Sequence, residues 1–171
     1  MLLDTNLEQC ARRELQDQTG IGDVYLEQLY TFGRVSRDPQ DRVVSIAYYA
    51  LIPSGNMVDG SGSGSVQWFG FDALPALDLD QRQIAMIARQ RLVAKLDYSA
   101  VAFQLVPGMF TLGDLQEVHE IIRGERLDKR NFRRRMLTLG AIEDTCEVRQ
   151  DGRRPARLYR VRRPGTAGSL N

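Results

Sequence analysis

One histidine and two cysteines in 171 residues remove several kinds of chemistry at the outset. His119 stands alone, so imidazole-based triads and histidine-rich metal sites are excluded, and any general acid or base work falls to carboxylates. On a helical wheel His119 lies beside Leu115 and Ile122, the place of a half-buried packing residue. Cys10 and Cys146 belong to no metal-ligand spacing, which makes them two free thiols of a reducing compartment. No apolar run approaches the ~20 residues a membrane span needs, and Met1 leads into Leu2-Leu3-Asp4 without a basic leader or cleavage site. A cytoplasmic protein of the bacterial type is expected, with no membrane partner. At 43% hydrophobic and 26% charged, the chain is ordinary for one large or two small globular domains.

The formal net charge of +1 conceals a strong asymmetry. Residues 123–163 hold 14 Lys or Arg against 6 Asp or Glu, whereas the 122 residues before them hold 9 against 16. One end is therefore cationic, as a phosphate-binding module requires. The stretch from Thr111 to Arg163 gives that end an outline. Thr111 is placed to cap a helix of about Leu112 to Arg123, with Asp114 completing a capping box, Leu112, Leu115, Val118 and Ile122 on one stripe, and Gly124 closing it. DKRNFRRRMLTLG follows as a second helix, with Asp128 as N-cap and Gly140 where a left-handed residue is needed. Phe132, Met136 and Leu139 share its apolar face. Arg130 and Arg134 point nearly opposite, with Asn131 and Arg133 on the flanks. Ile142 to Val148, the turn Gln150-Asp151-Gly152-Arg153, and Arg157 to Val161 then read as a hairpin carrying Arg149, Arg153, Arg154 and Arg157. Helix, turn, basic helix and basic hairpin make a winged helix-turn-helix.

An arginine-rich helix alone is most simply a solvated face. Here a second basic element stands beside it, and the like charges of Arg130 and Arg134 at i, i+4 repel unless phosphates or guanine edges relieve them. The expected DNA-contacting residues are Lys129, Arg130, Asn131, Arg133 and Arg134 on the helix and Arg153, Arg154 and Arg157 on the wing. The partner is a double-stranded operator, read as a near-palindrome by a homodimer.

Nearer the start, Asn6 to Gln18 has helical spacing and Gly20 closes it. Glu14 and Asp17 at i, i+3, with Gln18 at i+4, set three oxygen-bearing side chains on one face, a geometry by which carboxylates hold a divalent cation. Strand-like runs follow at Val24 to Phe32, Val43 to Ile52 and Ser65 to Phe71. Between them lie a polar loop, Gly33 to Arg42, and a Gly/Ser-rich stretch, Pro53 to Ser65, expected to be mobile. Asp80 to Leu96 is a helix with Ile84, Ile87, Ala88 and Leu92 on one side and Met86 and Val93 nearly opposite, so that it asks for two partners.

Residues 13–21, RELQDQTGI, resemble the second half of a Nudix box: Arg13, Glu14, Leu15, Gly20 and Ile21 match. Asp17 and Gln18 stand at its paired glutamates and Thr5 at its earlier one; the opening glycine would fall before Met1. LEQLYTFGRVSRDPQDRVVSIAYYALIP and WFGFDALPALDLD resemble a Nudix branch fused to a C-terminal winged helix, the Nudix-related transcriptional regulators of NAD metabolism. The resemblance continues through LDKRNFRRRMLTLGAIEDT and RRPARLYR. It implies an α+β chain: a partial, N-terminally truncated Nudix-like α/β/α sandwich at 1–79, a connecting helix at 80–97, a winged helix-turn-helix at 98–163 and a disordered tail at 164–171. It also implies a repressor of NAD biosynthesis or salvage genes that senses ADP-ribose or a related metabolite as effector, with no cofactor, metal or catalytic residue of its own. Glu14, Asp17, Arg34, Arg37 and Arg42 are the expected effector contacts. The competing reading is a magnesium-dependent Nudix hydrolase acting on ADP-ribose.

Overall fold

The computed structural model describes residues 5–33, 43–53, 67–98, 100–150 and 155–162. The chain divides into two compact units, Met1–Ala94 and Lys95–Asn171.

In the first unit, α1 (Leu7–Thr19) begins at Asn6, whose side chain accepts from the Gln9 N–H while the Gln9 side chain accepts in return from the Asn6 N–H. This reciprocal cap satisfies two of the donors a helix start leaves orphaned. Gly20, at φ 73°, ends the helix in the left-handed conformation that glycine adopts without a Cβ penalty. β1 (Tyr25–Phe32) and β2 (Ser45–Leu51) form an antiparallel pair with a bulge between Gln28 and Tyr30. The extra residue of that bulge, Leu29, is buried, as is Leu51. Of the strand expected over Ser65 to Phe71, residues 65 and 66 lie outside the described residues, residues 67–70 have no regular structure, and Phe71–Ala73 is a 3-10 turn. Strand-forming side chains make a strand only where a neighbour takes their backbone groups, and the described sheet here is β1 with β2. Trp68 and Phe69 stay largely exposed, and Phe71 packs under the Arg89 guanidinium, 4.7 Å from the ring centre. Arg89 belongs to α2 (Leu79–Tyr98).

The second unit has a core of Val101, Ala102, Val106, Phe110, Leu115, Ile122, Phe132, Met136, Ile142 and Tyr159. After a 3-10 turn at Val101–Gln104 come β3 (Phe110–Thr111), α3 (Leu112–Arg123), α4 (Lys129–Thr138), β4 (Ile142–Arg149) and β5 (Ala156–Val161). The strands form one antiparallel sheet in the order β3-β5-β4. Phe110 and Leu115 have no appreciable exposed surface, so the short strand β3 and helix α3 share the centre of the unit. Cys10 and Cys146 are free thiols, as expected. Among the described residues no helix is long and apolar enough to cross a membrane.

Candidate nucleic-acid interface

Both helices of the basic unit begin with a local cap. Thr111 Oγ1 accepts from the Asp114 N–H at 3.1 Å, and Asp114 accepts from the Thr111 N–H at 2.8 Å, which is the expected capping box of α3. Gly124 closes α3 at φ 74°. Glu120 then organises the turn into α4: its carboxylate accepts from the Leu127 N–H at 2.9 Å, from Gln116 Nε2 at 2.8 Å and from Arg126 at 2.8 Å. Gln116 also donates to the Leu127 carbonyl. A short connection held at both ends by side chains fixes the angle at which α4 leaves α3. Sequence reading missed Glu120, since a Glu late in a helix is usually a solvated residue; its spacing from Arg126 is the faint signal.

Asp128 caps α4 by accepting from the Asn131 N–H. Phe132 and Met136 are buried, and Phe132 meets His119 edge to face at 5.1 Å between ring centres. His119 is buried rather than half-buried, because α4 closes over the stripe on which the sequence places it. Leu139, assigned to the same face, is 60% exposed. Periodicity gives the direction of a side chain, but not whether a neighbouring element reaches that far along the helix. Gly140 has the expected positive φ.

Lys129, Arg130, Asn131, Arg133 and Arg134 are all exposed along α4. Arg134 Nη2 donates to Asn131 Oδ1 at 3.0 Å, so two base-reading candidates hold each other on the surface. Beside them lies a groove of about 480 Å³ lined by Thr111, Leu112 and Gly113 at the start of α3, Gln116, Lys129, Phe132 and Arg133, and Pro155, Ala156, Arg157 and Tyr159 at the wing. A Cβ on Gly113 would stand 3.3 Å from Thr111 Oγ1, so glycine keeps this corner open. The first-turn N–H groups of a helix, its dipole, and flanking Lys and Arg side chains together favour an anion. The groove has the chemistry of a phosphate contact, and its walls come from helix and wing together.

The wing arginines are not equivalent. Arg157 is exposed but donates to Asp144 Oδ2 at 2.8 Å, so a charge expected to be free for the DNA backbone already has a partner. Arg149 makes a two-pronged pair with Asp114, Nη1 to Oδ2 at 2.9 Å and Nη2 to Oδ1 at 2.8 Å. Arg153 and Arg154 lie outside the described residues. Burial works against the charge of Asp114, but Arg149 and the Thr111 N–H hold its carboxyl below the usual range. The N–H of Leu127, Gln116 and Arg126 lower Glu120, and the N–H of Cys146 with Arg157 lowers Asp144. A carboxyl lowered in the folded state contributes stability that is complete above its unfolded pKa and is lost as pH falls through the folded value. Denaturant midpoints of the second unit are therefore expected to hold from pH 7 to about 5 and to fall below about 4. A midpoint constant down to pH 3 would contradict this.

In the first unit Glu14 and Asp17 lie exposed on α1, while Arg34, Arg37 and Arg42 are outside the described residues. Among the described residues no group of three or more His, Cys, Asp or Glu is arranged to hold a metal ion. Sequence reading also missed a polar cluster on the sheet. Glu27 accepts from the Tyr25 hydroxyl and from the Tyr49 hydroxyl at 3.0 Å, and Arg91 of α2 stands 3.8 Å from it. Tyr25 and Glu27 share a face by the strand period and Glu27 is opposite Tyr49, so alternation was the available signal.

Comparison with known proteins follows this geometry. The model of the NrtR DNA-binding winged helix domain matches residues 102–161, and that of the NUDIX domain matches residues 4–90. The ADPR responsive transcriptional repressor NtrR of Acinetobacter baylyi is 39% identical over 160 residues, 92% of this chain and 64% of that protein. The chain thus spans a little less than two thirds of this curated relative. The crystal structure of Shewanella oneidensis NrtR complexed with a 27mer DNA superposes with a TM-score of 0.81 at 34% identity, over 94% of this chain and 74% of that one. A further Shewanella oneidensis NrtR crystal structure gives 0.78, also at 34%, over 93% and 74%. A MutT/nudix family protein from Enterococcus faecalis, 23% identical with a TM-score of 0.73 over 95% and 72%, shares the fold.

Proposed function

The chain belongs to the NrtR family, a Nudix-like domain followed by a winged helix, and from that premise we propose that it is a DNA-binding transcriptional repressor of NAD biosynthesis or salvage genes. Its Nudix part senses ADP-ribose or a related nucleotide and does not hydrolyse it. The observation that carries the DNA reading is the exposed row Lys129, Arg130, Asn131, Arg133 and Arg134 on a helix locked by Phe132 and Met136, beside the groove that Arg157 helps to line. In this reading α4 enters the major groove, with Arg130, Asn131 and Arg134 nearest the bases and Lys129 and Arg133 closer to phosphate. Arg153, Arg154 and Arg157 follow the adjacent backbone. One such module covers a half-site, so a homodimer on a near-palindrome, in the cytoplasm, completes the contact.

The absence of hydrolysis rests on charge. Thr5 and Gln18 occupy positions where the Nudix box has carboxylates, leaving Glu14 and Asp17 too little negative charge to hold a divalent cation against a diphosphate. The same two residues, with Arg34, Arg37 and Arg42, are the proposed effector contacts. An effector shifts DNA affinity only by its differential affinity for the two conformations.

The test joins the two halves in one sample. Affinity for duplexes from upstream of NAD biosynthesis genes is expected to fall steeply with salt and to change when ADP-ribose is added, with no AMP released in magnesium. Binding that is indifferent to salt would remove the DNA reading, and no change with ADP-ribose the sensing one. AMP release abolished by Asp17→Ala would establish the hydrolase instead.

A further inference from the structure

The wing contains a joint. β4 and β5 pair in register from Ile142↔Val161 to Asp144↔Tyr159 and resume at Val148↔Arg157. Between those points Thr145, Cys146 and Glu147 stand opposite Leu158. Thr145 Oγ1 donates to the Leu158 carbonyl, the Cys146 N–H donates to Asp144 Oδ1, and Cys146 itself takes φ 62°. Such a bulge bends a hairpin and interrupts its ladder. The inner half of the wing is tied to the rest of the sheet through β3, which pairs with β5 at Phe110↔Tyr159 and Thr111↔Leu158. The outer half, Val148 and Arg149 with Ala156 and Arg157, lies beyond both the bulge and that tie. Arg157 ties it across the bulge to Asp144 Oδ2, but that bond is given up when Arg157 turns to a phosphate, and the outer half then needs another anchor.

That anchor is the Arg149–Asp114 fork, two parallel bonds of 2.9 and 2.8 Å. It joins the last residue of β4 to the third residue of α3, 35 positions away in the chain. A bidentate guanidinium–carboxylate pair fixes direction as well as distance. Asp114 is itself held by the Thr111 N–H, so the wing is pinned to the helix start that lines the groove.

We propose that Asp114 and Arg149 form a positioning pair that sets the direction of the outer wing and so delivers Arg157 to a DNA phosphate; the role rests on the DNA-binding reading above. A carboxylate at the start of a helix whose neighbouring residues line the groove of a basic domain is electrostatically unfavourable for DNA binding. Its presence here is explained by geometry rather than by charge.

This gives a sign that separates the two. Asp114→Asn removes a negative charge and keeps an oxygen for the Thr111 N–H, so the helix cap persists while the fork is weakened. Affinity of the full chain for a mixed-sequence DNA duplex is measured against salt for wild type, Asp114→Asn and Arg149→Lys, with thermal melting of each. Asp114→Asn is expected to bind about threefold to tenfold more weakly despite its more positive charge, with a salt slope shallower by about one unit. Arg149→Lys keeps the charge but not the fork, and is expected to behave alike; it carries the test if the first variant does not fold. Unchanged or tighter binding by the folded Asp114→Asn protein, or wild-type affinity and slope in Arg149→Lys, overturns the positioning role and leaves DNA binding standing. A wild-type chain that binds no duplex removes both.

Discussion

Leu115→Ala is expected to unfold the second unit, or to bring it to the edge of unfolding, and with it to abolish duplex binding although no DNA-facing side chain is altered. Leu115 has no exposed surface and projects from α3 into the core of the unit. Emptying a leucine site costs about 2 to 5 kcal/mol, the larger values where the surroundings cannot collapse into the void. Domains are stable by only about 5 to 15 kcal/mol, and units as small as Lys95–Asn171 fall at the low end because their cores are small. Leu139→Ala provides the control. Its side chain is 60% exposed, and a surface truncation of this kind changes stability by no more than about 0.5 kcal/mol. Urea unfolding followed by far-UV circular dichroism distinguishes the two. Equal midpoints for both variants would mean that Leu115 does not hold the unit together.

Arg134→Ala is the largest effect expected on DNA recognition among variants that keep the fold. Arg134 is exposed on α4, and its loss touches neither the Phe132–Met136 face nor the Asp128 cap. A guanidinium that meets the O6 and N7 edge of guanine contributes about 1 to 3 kcal/mol of discrimination, and its removal relaxes preference at one base position while leaving others intact. Asn131, now joined to Arg134 at 3.0 Å, is free to exchange that bond for a base edge when Arg134 does the same. The measurement is affinity for an operator and for its single-base variants, wild type against Arg134→Ala. A uniform loss across all sequences would place Arg134 on phosphate rather than on a base; no loss at all would make it a solvated residue.

The features the sequence determined by itself are local ones. Thr111 and Asp114 are three residues apart, as are Asp128 and Asn131, and glycines follow α1 and α3 where a left-handed residue is needed. Caps, helix faces and the basic character of α4 involve partners within a turn or two, and the residue types alone specify them.

What only the tertiary structure decided involves partners far along the chain. Charge counting treats Arg149, Arg153, Arg154 and Arg157 alike, yet Arg149 is spent on Asp114 at a separation of 35 residues and Arg157 meets Asp144 at 13. Glu27 gains Tyr49 across the sheet at a separation of 22. The run before Phe71 has strand-forming side chains but no described strand beside it, and Leu139 has the right helical angle but nothing packed over it. In each case the residue's own chemistry permits several partners, and the fold selects among them by bringing one within reach. Backbone propensity acts within a few residues, whereas a salt bridge or a ladder depends on which distant segments the core has already drawn together.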